Sequence, residues 1–285
     1  MKQFKVLISL GLSLCVILFL PLAQASSSNI ESASINSCNV KGNLSISILG
    51  GITNNVPISC VNRTERESVG INEQSVTGDV DVDAGPMLNV AHLEAPHGTS
   101  LYQESDNTTS FIGLTEVENI EFVQGQITAE GVAGGIFIED KSDSELGLAA
   151  VAEIAYLTIN GEPQTLPYPI PKNYSLYVGN IILDVNVAGI GLVSVPVNGE
   201  VTLNRVSITE SSPNETKIEH SPIHIELNGE VKLLNSELVK IDLVIDDYVN
   251  FKSKSRELYA VVNELEMEKF EMQKKIEEFI GMEAK

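Results

Sequence analysis

The sequence predicts an all-β fold, an antiparallel sandwich or barrel with hairpins, followed by a C-terminal amphipathic α-helix. The first reason is that short runs with an apolar residue at every second position recur through residues 26–250, separated by turn residues. The second is an Asn-Gly-Glu motif that occurs three times, because Asn-Gly is typical of tight β-turns. The third is a change of period after residue 250, where apolar residues fall three and four positions apart, as on one face of a helix.

The first 25 residues have the features of a secretory signal peptide. Lys2 and Lys5 precede an apolar run over residues 6–20, and Ala23-Gln24-Ala25 is a small-x-small cleavage site. That run is shorter than the about 20 residues that a membrane-spanning helix needs. We expect cleavage after Ala25, a secreted or cell-surface location, and no integral membrane span in the mature protein.

Cys38 and Cys60 are the two cysteines of the predicted mature chain. In an exported protein an even pair predicts one disulfide, which here would close a loop with 21 residues between the cysteines. Closing such a loop stabilises a fold by roughly 3 kcal/mol through the entropy of the unfolded chain. The alternative is two free thiols in a reducing compartment.

The charge is concentrated in residues 26–250, the predicted β-rich domain. This region holds 9 basic and 31 acidic residues, a net charge of −22, whereas residues 251–285 hold 7 basic and 8 acidic residues. Such a body repels nucleic acid and anionic lipid, so no nucleic-acid partner is predicted. Basic partners and divalent cations remain open, and a solvated surface is the simplest interpretation.

The strands of this domain, which forms either one sheet pair or two sub-sheets, are predicted from alternation and from β-branched residues. Residues 26–37 are predicted to be a loose lead-in, 63–72 a charged connection, and 163–171 an extended crossing segment with alternating prolines. The main predicted strands are 44–48, 56–61, 76–82, 120–123, 136–138, 146–159, 174–187, 190–197, 200–208, 223–227, 230–234 and 238–245.

The Asn-Gly-Glu motifs at 198–200 and 228–230 predict two of the hairpins, and the third copy at 160–162 would close the strand before it. Apolar residues at alternate positions on both flanks should share a face. Val197 is therefore expected to oppose Val201, and Leu227 to oppose Val231, which requires three-residue or bulged loops.

The tail, residues 251–285, predicts an amphipathic helix or coiled coil. Its residue types are good helix formers, and its seam repeats every seven residues. The helix is expected either to pack on the β domain or to mediate self-association or binding of a protein partner. The apolar residues that would make the second kind of contact are Leu258, Val262, Leu265, Met272, Ile276 and Phe279.

Asp79, Asp81 and Asp83 are the candidate metal ligands. They occupy every second position of Asp-Val-Asp-Val-Asp, so on a strand their carboxylates project from one face. Clustered oxygen ligands suit Ca²⁺, the one cofactor that the sequence suggests. The alternative is a solvated acidic strand face, since Gly85 falls one position late for an EF-hand loop and Val90 stands where a Glu is needed.

No motif predicts catalysis, and no catalytic residue is assigned. The four histidines, His92, His97, His220 and His224, do not show the spacing of a zinc-protease helix, and no Gly-x-Ser-x-Gly nucleophile motif occurs. The protein is therefore predicted not to be an enzyme.

Three short motifs stand out in the middle of the chain. They are Ile48-Leu49-Gly50-Gly51-Ile52, Gln124-Gly125-Gln126-Ile127-Thr128-Ala129-Glu130-Gly131-Val132 and Leu157-Thr158-Ile159-Asn160-Gly161-Glu162-Pro163, with Pro169 and Pro171 downstream. In these motifs the chain resembles a bacterial cell-surface group known as choice-of-anchor P. The resemblance covers about half of the predicted mature chain and implies an exported, β-rich domain held at the envelope, with no established activity. The tail departs from that group, because it shows neither a sortase signal nor a closing membrane span.

These features together predict a secreted or surface-associated, non-catalytic structural or interaction protein of the bacterial envelope or extracellular matrix. The alternative is a Ca²⁺-dependent binding module that uses the acidic strand face of Asp79, Asp81 and Asp83.

Overall fold

The computed structural model describes residues 30–48, 52–86, 88–105, 108–141, 146–187, 191–212, 215–231, 236–253 and 262–283. Within these ranges the chain is all-β with one C-terminal helix, α1 (Lys269–Glu283), so the predicted fold class is confirmed. The predicted signal peptide lies outside the described residues. The strands are β1 (Ile30–Ile48), β2 (Ile52–Val61), β3 (Thr64–Arg66), β4 (Gly70–Ser75), β5 (Asp79–Ala84), β6 (Leu88–Glu94), β7 (His97–Ser105), β8 (Thr108–Phe122), β9 (Ile127–Lys141), β10 (Leu146–Ile159), β11 (Glu162–Pro163), β12 (Tyr174–Val187), β13 (Gly191–Ser212), β14 (Glu215–Val231), β15 (Ser236–Ser253) and β16 (Val262–Glu264).

The described strands form two sheets. Sheet A has the order β12-β13-β14-β15-β1-β2, and β3 pairs with β1. Sheet B has the order β11-β10-β9-β8-β6-β5, with β7 joining β8 to β4, and with β16 beside β10. Each described pair is antiparallel except β10 with β16. Sheet A therefore contains both the first described strand and the last long one, because β1 pairs with β15.

One core lies between the two sheets. Its largest cluster joins Leu183, Val195 and Leu227 of sheet A to Leu93 and Ile120 of sheet B, all of them fully buried or nearly so. The alternating residues of these strands face solvent, as expected for strands that each bury one face. The architecture is thus an antiparallel sandwich.

Cys38 of β1 and Cys60 of β2 form the predicted disulfide, with their Cα atoms 5.7 Å apart. The bond ties two neighbouring strands together at one edge of sheet A. This prediction is confirmed.

The first described strand begins where a loose lead-in was predicted. That lead-in was expected over residues 26–37, but residues 30–37 belong to β1, which pairs with β15 along most of its length. Ile30 is buried and Ile35 is fully buried beneath Ile136 and Ile138, so two apolar residues in a polar stretch suffice to close that end of the core. The charged connection 63–72 likewise contains β3 and the first half of β4.

The Asn-Gly-Glu motifs at 198–200 and 228–230 are not turns, and the hairpins predicted there are wrong. Both motifs lie inside long strands, where Asn198 pairs directly with Asn228 and Val201 opposes Ile225. A Cβ on Gly199 would come within 1.9 Å of the backbone oxygen of Glu226. These glycines therefore mark a close approach of two strands, the other common reason for glycine within a strand.

The third copy is a hairpin turn. Asn160 (φ 55°) and Gly161 (φ 73°) both adopt positive φ, and Ile159 pairs directly with Glu162. The loop therefore has two residues, as in a type I′ turn, and it closes the preceding strand as predicted.

The C-terminal helix is shorter than predicted. Phe251 belongs to the end of β15, and Val262 pairs in parallel with Leu146 in β16, so α1 begins only at Lys269. The reason is that open strand partners are available to both segments, and sheet pairing satisfies their backbone groups. Leu258 lies outside the described residues.

The helix α1 packs on sheet B of the same chain. Met272, Ile276 and Phe279 are buried against the outer face of sheet B, in one cluster with Ile112 and Phe137. Of the two arrangements that the sequence left open, the structure shows the docked one. Self-association stays a prediction, and the helix's exposed apolar side chains are Phe270, Ile280 and Met282.

Candidate functional site

The three candidate aspartates lie on β5, at one edge of sheet B. Asp79, Asp81 and Asp83 are exposed, while Val82 and Ala84 are buried in the core. Their carboxylates thus project from one face of the strand, as predicted. Alternate residues of a strand are roughly 7 Å apart, so the row runs along the strand instead of closing around one ion.

Pairing with β6 brings other ligands to this row. In the β5–β6 hairpin Asp79 opposes Glu94 and Asp81 opposes His92. His92 and Glu94 are half-buried on the outer surface, whereas Leu93 between them is fully buried. The β5–β6 hairpin therefore brings together two cross-strand pairs of side chains that could bind a metal ion.

Asp79, His92 and Glu94 converge most closely. Each offers one ligand atom, and these atoms lie within 4.8 Å of one another. His92 Nδ1 lies 2.8 Å from Asp81 Oδ1, and the amide nitrogen of Asn119 donates to Glu94. Because Asp81 engages Nδ1, Nε2 is the nitrogen available to a metal, and a carboxylate behind a ligating imidazole is common in metal sites.

The electrostatics of this cluster favour positive charge. The hydrogen bond that His92 donates to the carboxylate of Asp81 raises the pKa of His92 above its ordinary value of 6.5, and the nearby charges of Asp79 and Glu121 raise it further. A metal ion binds the neutral imidazole, so a proton on His92 competes with a metal ion at this cluster.

The acidic residues continue across sheet B beyond the cluster. Glu121 of β8 opposes His92, and Glu130 of β9 opposes Asn119. We call the exposed or half-buried carboxylates on this outer surface the acidic face: Asp79, Asp81, Asp83, Glu94, Glu121 and Glu130.

An imidazole together with two carboxylates suits zinc and related transition metals, while Ca²⁺ prefers oxygen ligands alone. The aspartates were predicted from the sequence, whereas His92 and Glu94 were not predicted as their partners. The signal was present, because Gly85-Pro86 separates two alternating runs and predicts the hairpin that pairs Asp-x-Asp with His-x-Glu.

The histidines of sheet A serve other contacts. His220 is fully buried with Nε2 3.0 Å from Asn204 Oδ1, and His224 Nδ1 lies 2.9 Å from Arg205 Nη1. Neither joins a group of converging metal ligands in the part of the chain that the structure describes.

Comparison with family models, with curated proteins and with solved structures gave no match. The resemblance to the choice-of-anchor P group therefore stays a prediction from short motifs. Among the described residues, no helix combines the length and the apolar character needed to cross a bilayer.

Proposed function

We propose that this is an exported, non-catalytic structural or interaction protein of the bacterial envelope or extracellular matrix, which contacts a basic partner surface through its acidic face. The observation that carries the proposal is the acidic face itself. The disulfide between Cys38 and Cys60 supports an oxidising, extracytoplasmic location.

Several lysines of the described residues contact carboxylates outside the acidic face. Lys41 and Lys217 both contact Glu219, and Lys269 lies 2.6 Å from Glu116. Within the described ranges no lysine or arginine forms an ion pair with a carboxylate of the acidic face. Six carboxylates on one sheet surface create a negative field that attracts and orients a basic partner.

A photo-crosslinking residue at Glu121 tests this proposal. We expect cells that express the variant to yield, after fractionation into medium, envelope and cytoplasm, a covalent adduct with an envelope or matrix component. The matched position is Asn186, which is exposed on sheet A. Adducts of equal yield from both positions, or none from Glu121, would contradict a contact through the acidic face.

The second candidate is a cation-dependent binding module, favoured by the convergence of Asp79, His92 and Glu94. At this cluster the ion would be Zn²⁺, held by the imidazole and the two carboxylates. The sequence instead predicts a Ca²⁺ site at Asp79, Asp81 and Asp83.

Calorimetry with Zn²⁺ and with Ca²⁺ separates these versions. We expect Zn²⁺ binding at pH 7.5 that weakens at least about tenfold at pH 5.5, because the proton competes for His92. His92→Gln should abolish Zn²⁺ binding, while the control His97→Gln should not. Equal Zn²⁺ affinity in the wild type and His92→Gln would exclude this site.

A further inference from the structure

Among the described strands, the side of β10 that faces away from β9 is paired only at its two ends. There, β16 pairs with residues 146–148 and β11 pairs with residues 158–159. Residues 149–157 have no strand partner on this side in the part of the chain that the structure describes. At about 3.3 Å per residue this open edge is roughly 25 Å long, the length of a peptide of about eight residues.

The backbone of the open edge is directed outward. At one end the N–H of Leu265 donates to the carbonyl of Leu148 at 2.7 Å. Because hydrogen-bonding direction alternates along a strand, the N–H and C=O groups of Ala150 and Ala152 point to the same side as those of Leu148. They form a row of donors and acceptors of the kind on which an added strand pairs.

The segment after β10, residues 162–173, runs along one side of this edge. We call residues 162–173 the strap, since they cross from β11 to sheet A. The N–H of Gln164 donates to Leu157 at 2.8 Å, and the side-chain amide of Asn204 donates to the carbonyl of Ile170 at 2.9 Å. Ile170 is buried in the core. The strap is therefore hydrogen-bonded near both of its ends, and it lies beside β10 without pairing with the middle of that strand.

Two depressions lie along the strap and β10. The one of about 360 Å³ lies between β10 and the strap, and the one of about 720 Å³ extends to the start of α1. Glu153, Tyr168 and Ile170 line both, so the depressions adjoin, and together we call them the groove. Its apolar lining includes Val151, Leu166 and Met267.

The charge of the groove selects its occupant. Among the described lining residues four are acidic, Glu153, Glu266, Glu268 and Glu271, and one is basic, Lys172. None of the four glutamates forms an ion pair with a lysine or arginine of the described ranges. Glu268 and Glu271 also lie at the N-terminus of α1, where carboxylates stabilise a helix, so binding and stability must be measured separately.

The corresponding edge of sheet A is protected. On β12 the side chain of Gln124 donates to the carbonyl of Asp184 at 3.0 Å and accepts from its N–H at 3.2 Å. Asn160 donates to the carbonyl of Gly179 at 2.8 Å. The chain thus caps one long edge with side chains from its turns and leaves the middle of β10 open.

We propose that the groove along β10 binds an extended peptide by strand addition, and that the peptide alternates apolar residues with lysine or arginine. Its backbone pairs with Ala150 and Ala152, and its basic side chains meet the glutamates of the groove. This site is separate from the acidic face, so either proposal can fail without the other.

The probe for this proposal is a capped, fluorescent eight-residue peptide in which lysine and valine alternate. Its control has the same length and charge, with two central valines replaced by proline so that it cannot pair as a strand. With the full-length protein at low salt, we expect fluorescence anisotropy to show at least about tenfold tighter binding of the alternating peptide.

Ala152→Pro removes the outward N–H while leaving the pairing of β10 with β9, since proline is tolerated where a strand's N–H faces an open edge. We expect this variant to weaken the probe at least about tenfold, and Glu153→Gln with Glu266→Gln to weaken it several-fold. Circular dichroism and thermal unfolding report whether each variant is folded. Unchanged affinity in folded Ala152→Pro would overturn the proposal.

Amide hydrogen exchange on the wild-type protein gives a test that needs no variant. We expect the amides of Ala150 and Ala152 to exchange faster than that of Val151 in the free protein and to be slowed at least about tenfold by the probe. Protection of Ala150 and Ala152 equal to that of Val151 without the probe would show that the edge is already paired, and would also overturn the proposal.

Discussion

Replacing Met272 with alanine is expected to lower the free energy of unfolding by about 3 kcal/mol. The side chain is fully buried between α1 and sheet B, in one cluster with Leu114, Phe137 and Ala149. Truncation removes these contacts and leaves a cavity that a rigid sheet cannot close. Urea unfolding followed by circular dichroism measures the change.

Met282 is the matched control, because it lies on the same helix and is 58% exposed. Met282→Ala should change the free energy of unfolding by no more than about 0.5 kcal/mol. Equal, small effects of both substitutions would mean that α1 does not pack on sheet B. In that case the self-association predicted from its apolar seam would become the better account of the tail.

Gly199→Ala is expected to cost more than about 3 kcal/mol or to prevent folding. The added methyl would lie 1.9 Å from the carbonyl oxygen of Glu226 and 2.9 Å from the Cα of Leu227. Both are backbone atoms of the neighbouring strand, so relief requires the two strands to separate. Thermal and urea unfolding of the purified variant measure the loss.

Gly281→Ala is the control for this substitution, because a Cβ there meets open space on α1. It should stabilise the protein slightly, by up to about 1 kcal/mol, since alanine favours a helix. Unfolding of Gly199→Ala at the wild-type urea concentration would favour a solvent-exposed turn at residues 198–200 over the paired strands described here.

Local signals in the sequence identify the strands better than they identify their ends. The prediction of a strand at residues 146–159 is confirmed, because its β-branched and aromatic half outweighs its alanines. Asn198-Gly199 failed as a turn signal because a glycine needed for close approach of two strands has the same sequence pattern as one needed for positive φ. The partner strand, which decides between them, is not a local property.

The same limit explains the candidate site and the tail. The shared face of Asp79, Asp81 and Asp83 follows from strand periodicity alone. The role of His92 depends on which strand pairs with β5 and in which register. At the tail, the spacing of apolar residues describes α1 correctly from Lys269 onward. At residues 251–253 and 262–264, pairing with β1, β14 and β10 overrides helix propensity.

The most direct test of contact between the acidic face and a basic partner is to neutralise this face and measure how much protein stays at the cell envelope. The variant carries Asp79→Asn, Asp81→Asn and Glu121→Gln, and the control removes three exposed charges elsewhere with Glu73→Gln, Glu162→Gln and Glu277→Gln. We expect the control to be retained like the wild type and the acidic-face variant to move several-fold into the medium while remaining folded. Equal retention of both variants and the wild type would contradict the proposed contact through the acidic face.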